Sequence, residues 1–287
     1  TTGFLSLPIT YEANVYFPIQ LSVATPPYKN FPHLSSSIFG RHTHEEHSTS
    51  DILTWNESDV ANFQVYVVRD TVNEPKAKFV LTTTDGGVFP SLESSYFDIY
   101  NNEKWNLSVT LSPTDLETAD RVLTGAVSHA ADDEYKVHFR GYSARADIIE
   151  NSFNLTGTIS TTHGVNVLTS STRMYVGAHY TNFTGTLLKP SDVRMLNARV
   201  WFKHLSDEEL KYHAYDMENY GTLDTYRNAS ISNTLLDSQY IHNFDTLMLN
   251  WEFNDLTGSN ASGEFQVNDT TSGSSSRYTD KAGFGNV

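Results

Sequence analysis

Cysteine is absent from this 287-residue sequence. The chain therefore has no disulfide and no thiol nucleophile, and a zinc site built on thiolates is excluded. Small secreted eukaryotic domains usually depend on disulfides, so the absence also argues mildly against that class of protein.

Positive charge and long apolar runs are also scarce. The sequence has 19 Lys and Arg against 34 Asp and Glu, which gives a formal net charge of -15. Such an acidic surface repels phosphate backbones and anionic lipid headgroups. No apolar run approaches the roughly 18 residues that a membrane helix requires. We therefore expect neither a nucleic-acid partner nor membrane insertion.

Aromatic residues are abundant: they make up 13% of the chain, with 16 Tyr and 16 Phe. Disordered chains are poor in aromatic residues, so disorder along the whole chain is excluded. The remainder is rich in Ser, Thr, Asn and Gly, a composition that suits β-strands joined by polar loops.

Strand patterns recur along the chain. In residues 105–111, Trp105, Leu107, Val109 and Leu111 alternate with polar residues and share one face of a strand. Similar segments cover residues 63–69, 78–83, 96–100, 135–142, 154–160, 173–178, 193–202, 247–253 and 264–267. Many short strands separated by turn residues predict an all-β protein, an antiparallel sandwich or barrel.

One short helix is predicted near residues 207–219. Ser206 is a suitable N-cap, and Glu209 three residues later completes a capping box. Gly221 is placed to end the helix. The apolar stripe that this helix should bury consists of Leu210, Ala214 and Met217.

Composition and side-chain pattern divide the chain into three parts. Residues 1–50 are an extended, Pro-rich N-terminal segment, residues 51–222 are the β-sandwich, and residues 223–287 are a loop-rich C-terminal extension with a few strands. Neither flank has a clear core of its own, so we expect both to pack on the sandwich or on neighbouring chains. The first and last residues are typical of a segment of a longer polypeptide.

Four segments carry a resemblance to a known family. They are Trp105-Asn-Leu-Ser-Val-Thr; Met174-Tyr-Val-Gly-Ala with Phe183-Thr-Gly; Val193 to Phe202; and Leu205-Ser-Asp-Glu-Glu-Leu. In this order they resemble the concanavalin A-like, laminin-G-like jelly roll, over roughly residues 51–222. The resemblance implies two antiparallel sheets packed face to face. Residues 251–254, 258–267 and 272–274 are similar to the tails that follow this module in large phage structural proteins.

The superfamily that the chain resembles includes glycosidases, so a catalytic pair of carboxylates is one hypothesis for its function. Retaining glycosidases need two carboxyl groups about 5–5.5 Å apart. Glu252 and Asp255 are three residues apart, which places them on opposite faces of a strand. The sequence also has no Gly-x-Ser-x-Gly motif and no phosphate-binding loop. We therefore expect that the chain is not an enzyme.

No cofactor and no metal site is assigned. The His-rich residues 42–47 are predicted to be a solvated surface loop, since they do not form a zinc-binding motif. The family resemblance allows a Ca²⁺ ion, and acidic turns at 85–87 and 132–134 are of the right kind. Neither turn carries a ligand motif that can be aligned with the family.

The sequence has four Trp residues, whose rings are of the kind that stack on sugars. Trp105 and Trp201 lie at alternating positions, and we expect them to be buried between the two sheets. Trp55 and Tyr180 lie near predicted loops and are the candidates for exposed, glycan-binding aromatic residues.

These observations favour a non-catalytic structural or adhesion module of a virion, from a phage, that acts through protein–protein or glycan contacts. The expected partners are other virion proteins, copies of the same chain and host surface glycans. The alternative is a secreted or cell-surface, extracellular carbohydrate-binding domain of the lectin type. A glycoside hydrolase is a distant third.

Overall fold

The structure is a computed structural model. It describes residues 8–19, 34–43, 62–71, 74–83, 87–114, 134–170, 172–177, 179–180, 187–189, 191–219, 246–253, 257–259, 265–267, 269 and 271. Within these residues, antiparallel strands form two six-stranded sheets and two small hairpin-like pairs, with two short helices. The all-β sandwich predicted from the sequence is confirmed.

The first sheet, called sheet A, holds the longest strands. Their order across the sheet is β14 (Leu247–Glu252), β13 (Arg194–Trp201), β1 (Ile9–Phe17), β7 (Glu103–Pro113), β8 (Glu134–Arg145) and β9 (Ile148–Ser160).

The second sheet, called sheet B, is built from shorter strands. Their order is β10 (Thr172–Val176), β2 (Ser35–Thr43), β3 (Phe63–Arg69), β4 (Lys76–Thr82) and β5 (Leu92–Glu93), and β6 (Phe97–Asp98) also pairs with β4. The two small pairs are β11 (His179–Tyr180) with β12 (Leu187–Lys189), and β15 (Thr257–Ser259) with β16 (Phe265–Gln266).

Both predicted flanks contribute strands to the sandwich. The sequence analysis places residues 1–50 in a separate segment, whereas β1 lies inside sheet A between β13 and β7, and β2 lies inside sheet B. Similarly, β14 of the C-terminal extension pairs with β13. The prolines around β1 obscure the alternation of its side chains in the sequence. The alternation is nevertheless regular, since its odd-numbered residues are all buried in the core: Ile9, Tyr11, Ala13, Val15 and Phe17.

The main core lies between the sheets and is rich in aromatic rings. Trp105 on β7 is fully buried and contacts Phe79 and Phe97 of sheet B, with ring centroids 4.8 and 5.1 Å apart. Phe153 of β9 stacks on Phe79 with centroids 5.4 Å apart. The predicted burial of Trp105 between the sheets is therefore confirmed.

The predicted position of Trp201 is wrong in one respect. Its side chain is fully buried, but it belongs to a second, smaller cluster with Leu205, Leu210 and Ala214. This cluster lies on the opposite face of sheet A, because Val200 next to it in β13 points into the main core.

The helix near residue 207 is confirmed but is shorter than predicted. Helix α2 spans Asp207–Tyr215 and has the predicted capping box between Ser206 and Glu209. It ends at Tyr215, so Met217 lies outside it. A second helix, α1 (Thr161–Thr169), follows β9 directly and is capped by Ser160. Its short stretch of β-branched and polar residues gives no clear helical periodicity.

Part of the predicted His-rich surface loop is also strand. His42 lies in β2 and is 1% exposed, because its ring packs edge-on against Tyr175 of the neighbouring strand β10. His44 and His47 lie outside the described residues. No helix in the described part of the chain is long and apolar enough to cross a membrane.

Candidate functional site

The face of sheet A that is turned away from the core is polar. We call it the polar face. Because side chains alternate along a strand, the residues between the core positions of β1, β7, β8, β13 and β14 all point to this side. The buried members are Thr10, Glu12, Asn14, Asn106, Ser108, Thr110, Ser112, His138, Arg140, Asn197, Arg199 and Asn250. Polar groups at this density need partners, and α2 packs over them against β7 and β8.

Glu12 is the centre of this face and accepts hydrogen bonds from three elements. Asn106 Nδ2 on β7 donates to Oε1 at 2.7 Å, and Trp201 Nε1 on β13 donates to Oε2 at 2.9 Å. His213 Nδ1 on α2 lies 2.9 and 3.0 Å from the two carboxylate oxygens. We call these four residues the Glu12 cluster.

The Glu12 carboxylate is ionised despite its burial. Burial alone would raise the pKa of Glu12, but the charge and hydrogen bond of His213, the charge of Arg199 and the hydrogen bond of Asn106 together lower this pKa to about 2. The site therefore holds a negative charge at neutral pH, fixed by donors from both sheet A and α2.

His213 is oriented by Glu12 and by an aromatic ring. A carboxylate can only accept, so Nδ1 of His213 carries the proton in this contact. The imidazole stacks on the Trp201 indole, with centroids 5.5 Å apart and an interplanar angle of 21°. Within the described residues, Nε2 has no hydrogen-bond partner.

A carboxylate that holds a histidine through Nδ1 is the arrangement that orients a general base in hydrolases. Here, however, the side chains of Glu12 and His213 are both 0% exposed. General-base catalysis requires a substrate within hydrogen-bond reach of Nε2. In this conformation the pair instead fixes α2 on sheet A.

A second contact ties the beginning of α2 to the same face. Arg140 NH1 on β8 lies 2.9 Å from Oδ1 of Asp207, and Arg140 NH2 donates to Thr110 Oγ1 at 2.8 Å. Partial burial would raise the pKa of Asp207, but the hydrogen bond and charge of Arg140 lower it overall. The helix is thus attached by an ion pair at Asp207 and by the hydrogen bond between His213 and Glu12, one near each end.

Some polar atoms on this face lack a hydrogen-bond partner among the described residues. They are Asn106 Oδ1, Ser108 Oγ and Arg140 Nε. Ser108 is directly opposite Glu12 on one side and Arg140 on the other. Ordered water is the usual partner of such buried groups, and each group without one reduces the free energy of unfolding.

Another buried charge joins sheet B to the segment before β13. Asp192 accepts hydrogen bonds from Ser36 Oγ at 2.7 Å and from Tyr100 OH at 2.8 Å, and it forms an ion pair with Arg69. The Arg69 guanidinium lies 3.6 Å from the centroid of the Tyr100 ring. Burial, with the nearby Asp192 charge, raises the pKa of Tyr100. The phenol therefore stays protonated and continues to donate.

The two predicted glycan-binding residues are not brought together by the described structure. Trp55 lies outside the described residues, and Tyr180 is placed in β11 by its backbone only. Both remain predictions. Of the acidic turns, Glu134 is exposed at the start of β8, whereas residues 85, 86, 132 and 133 lie outside the described part. No group of three or more potential metal ligands occurs among the described residues.

Sequence reasoning missed Glu12 and His213. The alternation of β1 would have placed Glu12 on a polar face, but nothing local indicates that this face is covered. The partners are 201 positions apart, so their contact has no short-range signal.

Comparison with known proteins gives distant structural similarities. No known family profile matches the chain, and no curated protein matches it. The Ruminococcus gnavus IT-sialidase CBM40 bound to alpha2,6 sialyllactose is 13% identical, with a TM-score of 0.34 over 72% of this chain and 82% of the other. The enzymatically active domain of bacteriophage CBA120 tailspike protein 2 is 11% identical, with a TM-score of 0.35 over 73% of this chain and 24% of the other. At these TM-scores, neither similarity carries a statement about the function of this chain.

Proposed function

We propose that this chain is a non-catalytic structural or adhesion module of a virion that acts through contact surfaces. The observation that carries the proposal is the outer face of β9. Its exposed positions are uncharged and polar from Ser152 onward: Ser152, Asn154, Thr156, Thr158 and Ser160. Hydroxyl and amide groups form hydrogen bonds with a partner without the large desolvation cost of charges.

The buried polar face supports the same proposal. Its most reactive arrangement, Glu12 with His213, is enclosed and fixes α2. In this sandwich, directional hydrogen bonds hold the helix on the sheet. Such a scaffold suits a protein that offers a fixed contact surface to a partner. The role in a virion rests on the resemblance of residues 251–254, 258–267 and 272–274 to tails in phage structural proteins.

The test is a parallel assay of turnover and contact. The purified chain is incubated with a panel of bacterial surface polysaccharides and β-glucans, and newly formed reducing ends are measured. The same chain is screened on a glycan array with and without a chelator, and its self-association is measured by sedimentation. We expect no reducing ends, together with binding to a glycan or to a second copy.

Hydrolysis at an enzymatic rate, on the order of 1 s⁻¹ or faster, would overturn the proposal. A Glu12→Gln variant identifies the source, since an activity lost in this variant would assign catalysis to the Glu12 cluster. Chelator-sensitive glycan binding would favour the lectin-like form of the module.

A further inference from the structure

We propose that the free edge of β9 pairs antiparallel with β9 of a second copy, which joins the two A sheets into one. The inference rests on the proposed function, since it names a second copy of the chain as a partner of the module. Among the described residues, β8 is the strand that pairs with β9, and the opposite edge of β9 has no strand beside it. A sheet edge of this kind presents unpaired N–H and C=O groups and is a template for another chain.

The length of β9 distinguishes it from the other sheet edges. It has 13 residues and is therefore about 44 Å long. The opposite edge strand of sheet A, β14, has six residues and is partly covered by a bridge from Trp251 to Asp269. In sheet B the edge strands β10 and β5 have five and two residues.

The devices that normally protect an edge are confined to one end of β9. The register against β8 shifts at Glu150, which is therefore a bulge, and this residue carries the single charge of the strand. From Asn151 to Ser160 the register is regular, with no charged residue and no proline. Native edges usually carry lysine, proline or bulges against association.

Charge explains why the second copy fits this edge. Two chains of net charge -15 repel each other, so they can approach only where both surfaces are locally neutral. An antiparallel pair centred on Leu155 places Asn154 of each copy opposite Thr156 of the other. Glu150 then lies opposite Ser160, and no like charges face each other.

The same register places the apolar side chains of the two copies of β9 on the same face of the joined sheet. Phe153, Leu155 and Ile159 of β9 point toward the main core. In the pair, these odd-numbered positions lie opposite odd-numbered positions, so each copy extends the covered face of the other. Ile148, which is 68% exposed, would lie beside the start of α1 of the second copy, where it loses contact with water.

The experiment is sedimentation velocity over a range of concentrations with a charge-swap pair. The first variant carries Asn154→Lys and Thr156→Lys, and the second carries Asn154→Glu and Thr156→Glu. In a dimer of either variant, position 154 of each copy lies opposite position 156 of the other, so like charges face each other at both contacts. We expect the wild type to dimerise with rising concentration and each variant alone to raise the dimer Kd by about tenfold or more. An equal mixture of the two variants should return the Kd to within about threefold of wild type.

The lysine variant separates the local contact from the net charge. It reduces the overall repulsion between copies, which by itself would strengthen association. A weaker dimer in this variant therefore locates the contact at β9. Met248→Lys, on the exposed face of the opposite edge strand, is the matched control and should leave the Kd unchanged. The thermal unfolding midpoint and near-UV circular dichroism of each variant check that it is folded.

A wild-type chain that stays monomeric at high micromolar concentration would overturn the inference. So would a dimer that neither variant weakens, or variants that the mixture does not restore. None of these results by itself overturns the proposed function, which fails on hydrolysis. A monomer that binds glycans and shows no turnover would end the inference and leave that function standing.

Discussion

The two faces of sheet A are both buried across its central strands β1, β7 and β13, and they are held in different ways. The core face packs Trp105, Val109 and Phe139 against sheet B through non-directional contacts. The polar face is covered by α2 and is held by hydrogen bonds and by the charge of Glu12. The core face is destabilised most by substitutions that leave a cavity. The polar face is destabilised most by the loss of one partner of a buried charge. Four predictions test this difference, in order of decreasing effect.

On the core face, Trp105→Ala should lower the free energy of unfolding by about 3–5 kcal/mol. The fully buried ring contacts Phe79 and Phe97, and its removal leaves a cavity. Guanidinium unfolding measures the change. Met248→Ala, at an exposed position of the same sheet, should change stability by no more than about 0.5 kcal/mol. A loss below about 1 kcal/mol for Trp105→Ala would show that the core face does not depend on volume.

On the polar face, Glu12→Leu should also cost about 3–5 kcal/mol, for another reason. The change removes the acceptor shared by Asn106, Trp201 and His213. The double variant Glu12→Leu with His213→Leu should be less destabilised than the sum of the single variants, because it removes both partners. Equilibrium unfolding of the complete double-mutant cycle measures this coupling. Strict additivity would mean that the two residues do not act as a pair.

Acid should weaken the polar face more than the core face. The pKa of Glu12 is about 2 in the folded protein and 4.5 as an unperturbed group, so the folded state binds fewer protons between these values. The stabilisation is fully present above about pH 4.5 and is lost as the pH falls through about 2, a total on the order of 3 kcal/mol. Unfolding curves recorded from about pH 6 to about pH 2 give the slope of the free energy of unfolding against pH. Glu12→Gln should flatten it, whereas Glu218→Gln, at an exposed position, should follow the wild type. An unchanged slope in Glu12→Gln would show that this carboxylate does not link stability to pH.

The smallest effect is expected at the N-cap of α2. Ser206→Ala should cost about 1 kcal/mol, because Ser206 Oγ accepts from Glu209 N at 3.2 Å and the capping box is lost. Ser206→Asp retains an acceptor and should stay close to wild type. The cap of α1 offers a comparison: Ser160 accepts from His163 N at 3.3 Å. Thermal unfolding of the wild type and of both variants measures the difference, and an equal loss in Ser206→Asp would rule out capping as the cause.

Local pattern predicted much of the fold. Residues 63–69 match β3 exactly in extent, because an alternating, β-branched run has few other solutions. The capping box located the beginning of α2, since the groups that make it lie within four residues of each other. The predicted end of α2 at residue 219 is too late, because the helix ends at Tyr215 with Asp216 as its C-cap.

Local sequence patterns are sufficient to show that this protein is all-β, which residues of each strand share a face, and where one helix begins. These properties follow from side-chain alternation and from contacts between close neighbours in the chain. The position of β1 inside sheet A, the place of Trp201 on the polar face and the packing of α2 over Glu12 are visible only in the folded structure. Alternation shows that the two faces of a strand differ, but it does not show what covers them. That depends on contacts such as the one between Glu12 and His213, which are far apart in the chain and meet only when the sheet has formed.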